Sequence, residues 1–161
     1  MQAYLALLAC TIFISASFAA ETEKPPRIHF IAGPDSHAVD QHEFIAGCHL
    51  LGNKFKSVFP DTEFDVSVGW PTEAKQVESF NAASLIIIYC DGYTKHQLNN
   101  HYDKMEKLMK AGTSLGLLHC GCEVDSVKKG AALRRWTGGA YEKFYSIHPT
   151  WTRPSIYNRN H

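Results

Sequence analysis

A run of apolar residues at positions 84–90, with the sequence SLIIIYC, constrains the fold of this chain more than any other segment. A strand with one exposed face alternates apolar and polar side chains, whereas here three isoleucines follow one another directly. Continuous β-branched runs are typical of strands buried on both faces, as in parallel sheets that helices cover on each side. The segment therefore predicts a central strand of a parallel sheet.

Strand-like and helix-like patterns alternate along the rest of the chain. Apolar residues that recur every three or four positions predict amphipathic helices, and short apolar or alternating runs predict strands. The predicted helices are residues 42–59, 75–80, 102–111 and 129–137. The predicted strands are residues 27–32, 64–68, 84–90 and 114–118, with a weak further strand near 144–147.

The order of these elements predicts an α/β fold. Strands that alternate with helices form a mainly parallel sheet with right-handed crossovers, which here gives a flavodoxin-like three-layer sandwich. Because the segment 64–68 alternates apolar and acidic or polar residues, we expect it at a sheet edge. The apolar segment 114–118 is expected to be a second central strand.

The first 20 residues carry no charged side chain, and residues 3–18 are mostly apolar. Ser17 and Ala19 place small residues at the −3 and −1 positions of a cleavage site before Ala20. We therefore predict a signal peptide at 1–19, a linker at 20–26, and a secreted or periplasmic protein, although the usual basic residues are missing at the start. A signal anchor in the membrane and a lipoprotein signal at Cys10 remain alternatives.

Charge and cysteine content limit the partners of the chain. The 16 basic and 16 acidic residues balance, so the chain lacks the net positive charge that attracts nucleic acids and anionic membranes. We expect no nucleic-acid partner and no stable membrane insertion once the signal peptide is removed. Five cysteines are too few for a disulfide scaffold and predict small buried side chains, with a Cys90–Cys120 pair as an alternative.

The polar segments after the predicted strands are the candidate functional site. Ligands of parallel α/β sheets bind beyond the carboxyl ends of the strands, so these segments are expected to converge. They contain His37, His42 and Glu43 after the first strand, Asp91 after the third and His119 after the fourth. Such a set is suited to binding a polyol, to proton transfer or to metal coordination, and equally to helix capping and loop hydrogen bonds. The spacing matches no zinc motif, so we predict neither a metal ion nor a cofactor.

Two further features are weaker. Cys120 stands at a turn where a nucleophilic cysteine could lie, but Leu118 and Cys122 occupy positions that such turns reserve for glycine. His148 and Trp151 are candidates for substrate binding, because an aromatic ring beside a histidine can stack on a sugar and donate hydrogen bonds. A helix cap followed by a partly buried aromatic residue explains the same segment.

Four segments together resemble the ThuA-like (trehalose-utilisation) domain family of the class I glutamine amidotransferase-like superfamily. They are IAGPDSHAVDQHEFIAGCHLL, IIIYCDGYTKH, LMKAGTSLGLLHCGCEV and LRRWTGGAYEKFYSIHPTW. The resemblance implies a flavodoxin-like domain at 27–153, a role near sugar metabolism, frequent bacterial export, and a histidine, here His119, after the strand that carries the amidotransferase nucleophile.

Members of this family ordinarily continue with further strands, whereas we expect an unstructured tail at 154–161. The resemblance thus implies that the domain is either C-terminally truncated or able to dispense with those elements.

The leading hypothesis is an exported ThuA-like domain that binds or processes a carbohydrate of disaccharide-related metabolism at the carboxyl ends of the strands. His119 and Glu43 are the candidate acid and base. The candidate substrate-binding residues are His37, His42, Asp91, His148 and Trp151. Two alternatives are a catalytically inert binding module or truncated relic, and a metal-dependent hydrolase. Catalysis itself and the oligomeric state stay open.

Overall fold

A computed structural model describes residues 24–38, 41–142 and 145–146, and it shows an α/β fold around a parallel sheet. The strands are β1 (Arg27–Ala32), β2 (Glu63–Val68), β3 (Leu85–Tyr89) and β4 (Ser114–Leu118). The helices are α1 (Phe44–Val58), α2 (Ala74–Asn81), α3 (Tyr102–Lys110) and α4 (Val127–Thr137). Short 3₁₀ turns follow β3 at Tyr93–Lys95 and β4 at His119–Cys122.

The sheet has the strand order β2-β1-β3-β4, and each neighbouring pair is parallel. The apolar run at 84–90 forms β3, which lies between β1 and β4 with Ile86 and Ile88 fully buried. This confirms the central strand that the sequence predicts, and the alternation of strands and helices gives the expected flavodoxin-like sandwich.

Two apolar clusters cover the two faces of the sheet. On one face, Phe30 and Ile87 pack with Phe44 and Cys48 of α1. On the other face, the cluster joins strand residues to three helices. Its members include Ile31, Ile86, Ile88, Phe80 of α2, Met105 of α3 and Leu133 of α4. Helices therefore cover both faces of the sheet, which explains why β3 carries an uninterrupted apolar run.

The two outer strands differ in how well the sequence predicts them. The alternating segment forms β2 and lies at the sheet edge as expected. Within the described residues β4 pairs only with β3 and forms the other edge, so the prediction of a central strand is wrong for that part of the chain. The apolar run reflects packing against α4 and its neighbours, which buries Leu115 and leaves residues 116–118 half-buried, and it does not report hydrogen bonds on both edges.

Several predicted features lie outside the described part of the chain. They are the signal peptide at 1–19, most of the linker, the tail at 154–161 and two of the four residues of the weak strand near 144–147. The described residues 145–146 form a turn, so the strand prediction is wrong there. Among the described residues, no helix has both the length and the apolar character that crossing a bilayer requires.

Candidate functional site

The loops that follow β1, β3 and β4 leave the sheet side by side. Ala32 pairs with Tyr89, and Tyr89 pairs with Leu118, so the three strands end in register. The Gly33 N–H donates to the Tyr89 carbonyl over 2.8 Å and holds the first loop against the second. Side chains in the next few residues therefore meet at one edge of the sheet, as the parallel arrangement predicts.

Three of the predicted site residues converge at this edge. The Nδ1 atoms of His37 and His42 are 2.9 Å apart. One carboxylate oxygen of Asp91, Oδ1, lies 3.8 Å from the His37 nitrogen and 3.9 Å from the His42 nitrogen. The Ser36 hydroxyl lies 2.8 Å from the same nitrogen of His37. Two imidazoles and a carboxylate thus face a common point.

His119 adjoins this group through His42. The two rings have centroids 4.6 Å apart and meet at a steep angle, while the Tyr89 ring lies under His119 at 6.4 Å. The His119 side chain is exposed, and its Nδ1 atom lies 3.0 Å from the Cys120 sulfur. The residue that the family resemblance singles out therefore stands beside the histidine pair.

Two of these histidines have a left-handed backbone. His42 and His119 both have φ of 52°, a region that costs a residue with a side chain about 1–3 kcal/mol. Backbone strain of this kind persists only where surrounding structure enforces it, and it is concentrated at functional sites. The two conformations direct both rings to the same side of the loops.

Asp91 is fixed by close packing beneath the site. The neighbouring Gly92 lies against the loop after β4, where an added Cβ would be 2.6 Å from the Glu123 Cβ and 2.9 Å from the Cys120 carbonyl oxygen. The second carboxylate oxygen of Asp91 lies 3.7 Å from the Lys95 ammonium. The carboxylate is therefore held with one oxygen toward the histidines and the other toward a cation.

A buried histidine supports the same two loops. The Leu98 N–H donates to His96 Nδ1 at 3.0 Å, so the proton of the neutral ring is on Nε2, which donates to the Gly121 carbonyl at 2.7 Å. Burial lowers the pKa of His96 and keeps the ring neutral. The segment after β3 is thereby fastened to the segment after β4.

The electrostatics of the cluster favour neutral imidazole at His42. Partial burial lowers the pKa of His42, and the nearby His37 and His119 lower it further, whereas the Asp91 carboxylate acts in the opposite direction. At neutral pH the His42 ring is therefore neutral, and one ring nitrogen has a lone pair that can bind a proton or another electron-pair acceptor.

A polar cavity of about 720 Å³ opens next to the cluster. Its wall contains Trp70, whose ring is stacked on His101 with centroids 4.0 Å apart and planes 5° from parallel. Ser36, Asp91 and Lys95 line the side nearest the histidines. The cavity thus joins an aromatic surface to hydroxyl, carboxylate and ammonium groups.

The thiols at this edge are not activated. Burial and the Glu123 carboxylate raise the pKa of Cys120 to about 11, and the same causes raise the pKa of Cys122. Thiolates are the nucleophilic form, so Cys120 is poorly suited to that role at neutral pH. Cys48, Cys90, Cys120 and Cys122 are all free thiols, so the alternative Cys90–Cys120 disulfide is absent. Cys48 and Cys90 are buried as expected, whereas the other two are half-buried.

The structure brings together four of the seven predicted site residues, namely His37, His42, Asp91 and His119. Glu43 directly precedes α1, and its side chain is exposed. His148 and Trp151 lie outside the described residues. The sequence interpretation missed Trp70 and His101, although the turn after β2 that holds Trp70 is at the same edge and the rule used for the other strands would have found it.

Comparison with protein-family models, with curated proteins and with solved structures found no match for this chain. The fold and the site therefore define the class of protein: a parallel α/β sandwich with a histidine–aspartate cluster and a polar cavity at the carboxyl ends of its strands.

Proposed function

We propose that this chain is a ThuA-like domain that binds a carbohydrate in the cavity between Trp70 and Asp91. The observation that carries the proposal is the pairing of a stacked aromatic wall with polar side chains in one open cavity of about 720 Å³. Small-molecule sites have volumes of roughly 300–1,000 Å³, so one or two sugar rings suit this space.

The chemistry of the wall complements a sugar. The C–H face of a pyranose ring is apolar and packs on aromatic rings, which the Trp70–His101 stack supplies. Sugar hydroxyls both donate and accept hydrogen bonds, and Asp91, Lys95 and Ser36 offer an acceptor, a donor and a group that does both. The balanced charge of these groups favours a neutral polyol over a strongly anionic ligand.

In the catalytic form of this proposal, His119 and Glu43 act as general acid and base on the bound sugar. His119 is exposed beside His42, within reach of a ligand that extends from the cavity over the cluster. Glu43 follows His42 directly and is exposed as well. His148 and Trp151, which lie outside the described residues, stay candidate substrate contacts on the sequence alone.

Calorimetry with a panel of mono- and disaccharides tests the binding. We expect saturable binding with a Kd of about 1 mM or tighter for at least one sugar. Trp70→Ala should weaken it at least tenfold, while Trp136→Ala serves as the matched control because Trp136 lies away from the cavity, bonded to Glu106. Heats that are absent for every sugar, or unchanged in Trp70→Ala, contradict the proposal.

A binding module without catalysis is the second candidate, because burial raises the pKa of Cys120 and so disfavours the thiolate that a nucleophilic cysteine at this strand end needs. Chromatography of sugars incubated with the protein separates the two forms. Product formation that disappears in His119→Ala and Glu43→Gln supports the catalytic form, and binding without any product supports the module.

A further inference from the structure

We propose that His37, His42 and Asp91 form a binding site for one divalent transition-metal ion. Their three facing atoms are separated by 2.9, 3.8 and 3.9 Å. A single point in the plane of these atoms lies about 2.1 Å from each, and zinc–nitrogen and zinc–oxygen bonds measure about 2.0–2.2 Å. Very little movement of the side chains is needed to bring all three into bonding distance of one ion.

The donor set selects the type of ion. Two imidazole nitrogens and one carboxylate oxygen suit Zn²⁺, Co²⁺ or Fe²⁺, whereas Mg²⁺ and Ca²⁺ prefer sites made only of oxygen. Three protein ligands leave at least one coordination position open, which is the arrangement of metal sites that also bind a small molecule. We therefore infer an open site for a transition metal rather than a closed structural one.

The surroundings hold the ligands in place. Lys95 lies 3.7 Å from Oδ2 of Asp91, so that Oδ1 is the oxygen turned toward the histidines. Close packing of Gly92 fixes the same loop, and the left-handed backbone at His42 presents its ring to His37. Pre-arranged neighbours of this kind reduce the ordering that metal binding has to bring about.

One contact changes when the ion binds. The Ser36 hydroxyl is at 2.8 Å from the His37 nitrogen that would bond to the metal, so this hydrogen bond must break. Ser36 is half-buried on the loop after β1, and its hydroxyl either turns to solvent or becomes an additional oxygen ligand. Its loss is small beside what the metal–ligand bonds supply.

Binding of Zn²⁺ and of Co²⁺ to the purified chain, followed by calorimetry and by visible absorption, tests the site. We expect one equivalent of either ion to bind, with Mg²⁺ and Ca²⁺ failing to compete. His37→Ala, His42→Ala and Asp91→Asn should each weaken binding by at least tenfold. Asp91→Asn conserves shape and His49→Ala removes an exposed histidine of α1 outside the cluster, so the pair separates lost ligands from lost folding.

The cysteines near His119 are the competing site. Binding there would give a Co²⁺–thiolate charge-transfer band and would disappear in the Cys120→Ser/Cys122→Ser double variant. We expect neither result. A thiolate band, binding that survives in Asp91→Asn, an equal loss in His49→Ala, or no binding at all overturns the assignment. Because the probe is the metal alone, these outcomes are independent of whether the cavity binds a sugar.

Discussion

The buried His29 and the histidines at the carboxyl edge of the sheet occupy opposite environments. His29 lies in the middle of β1, fully buried, with its ring edge against Phe80 at 5.4 Å. Its Nδ1 atom is 3.3 Å from the Ser79 hydroxyl and its Nε2 atom is 3.1 Å from the Ser67 hydroxyl. Both nitrogens therefore have permanent protein partners, and Asp65 and Arg27 extend the same network toward the surface.

The histidines at the carboxyl edge are arranged differently. His37 and His42 are accessible to solvent and turn the same nitrogen of each ring toward one another, and His42 and His119 require a left-handed backbone. The buried His29 stabilises the fold because both of its ring nitrogens have protein partners. The exposed histidines place polar atoms where an incoming ligand can reach them, and the left-handed backbone at His42 and His119 is the energetic cost of this arrangement. A candidate site is therefore marked by the surroundings of a histidine and not by its presence alone.

The largest expected difference between the two groups is in stability. His29→Ala should lower the free energy of unfolding by about 4 kcal/mol, because it leaves a cavity in the core and removes the hydrogen bonds of the ring with Ser67 and Ser79. His37→Ala should change it by less than about 0.5 kcal/mol, since the side chain is exposed. Urea denaturation measures both, and similar losses in the two variants would remove the distinction.

The pH dependence of the free energy of unfolding should come largely from the buried His29. Burial lowers the pKa of His29 from 6.5 to about 4, so the unfolded chain binds more protons than the folded one between these values. The contribution is complete above pH 6.5 and is lost as the pH falls toward 4, about 3 kcal/mol in all. His96 acts in the same direction, so the difference between wild type and His29→Gln in urea titrations isolates His29. Identical pH profiles for the two proteins would contradict this origin.

Rigid packing below the exposed cluster predicts an intermediate effect. Gly92→Ala should cost about 2 kcal/mol, because the new methyl group meets the Glu123 side chain and a backbone oxygen and the loop must shift. Gly139→Ala, where nothing lies within 4 Å, is the matched control. Thermal unfolding reports stability, and Co²⁺ binding reports whether Asp91 has moved. A neutral Gly92→Ala would show that the loop is not held by this contact.

The smallest expected effect is a gain in stability when glycine, and not alanine, replaces a histidine with a left-handed backbone. Glycine adopts φ of 52° without strain, so His42→Gly and His119→Gly should each be more stable than the corresponding alanine variants by about 1 kcal/mol. The same exchange at His49, in the helical backbone of α1, should destabilise glycine relative to alanine by about 1 kcal/mol. Denaturation of the six variants tests the contrast, and a glycine penalty at all three positions would show that the loop backbone is not strained.

The sequence predicts the framework of the fold well and parts of the site. The uninterrupted isoleucines of β3 and the helix spacings in α1 report local burial, which periodicity reflects directly. The rule that strand ends converge brings His37, Asp91 and His119 to one edge from segments far apart in the chain.

Other features depend on contacts that no local pattern carries. The edge position of β4 follows from which strands pair, while its composition reflects only the helices that cover it. The partners of His29 come from β2 and α2, 38 and 50 residues away, so a polar residue in an apolar strand gives no hint of them. A left-handed backbone at His42 is equally hidden, because residues with a side chain rarely adopt it and no local pattern marks where they do.

Asp91 belongs to the lining of the cavity and also to the histidine cluster. A ligand that contacts this carboxylate from the cavity changes the free energy of ion binding at the cluster. Thermodynamic linkage makes the effect of the ion on binding in the cavity equal to it. If an ion at the cluster tightens sugar binding fivefold, about 1 kcal/mol, the sugar tightens the ion fivefold too. A single carboxylate would thus make the two sites one cooperative unit, with each ligand acting as the effector of the other.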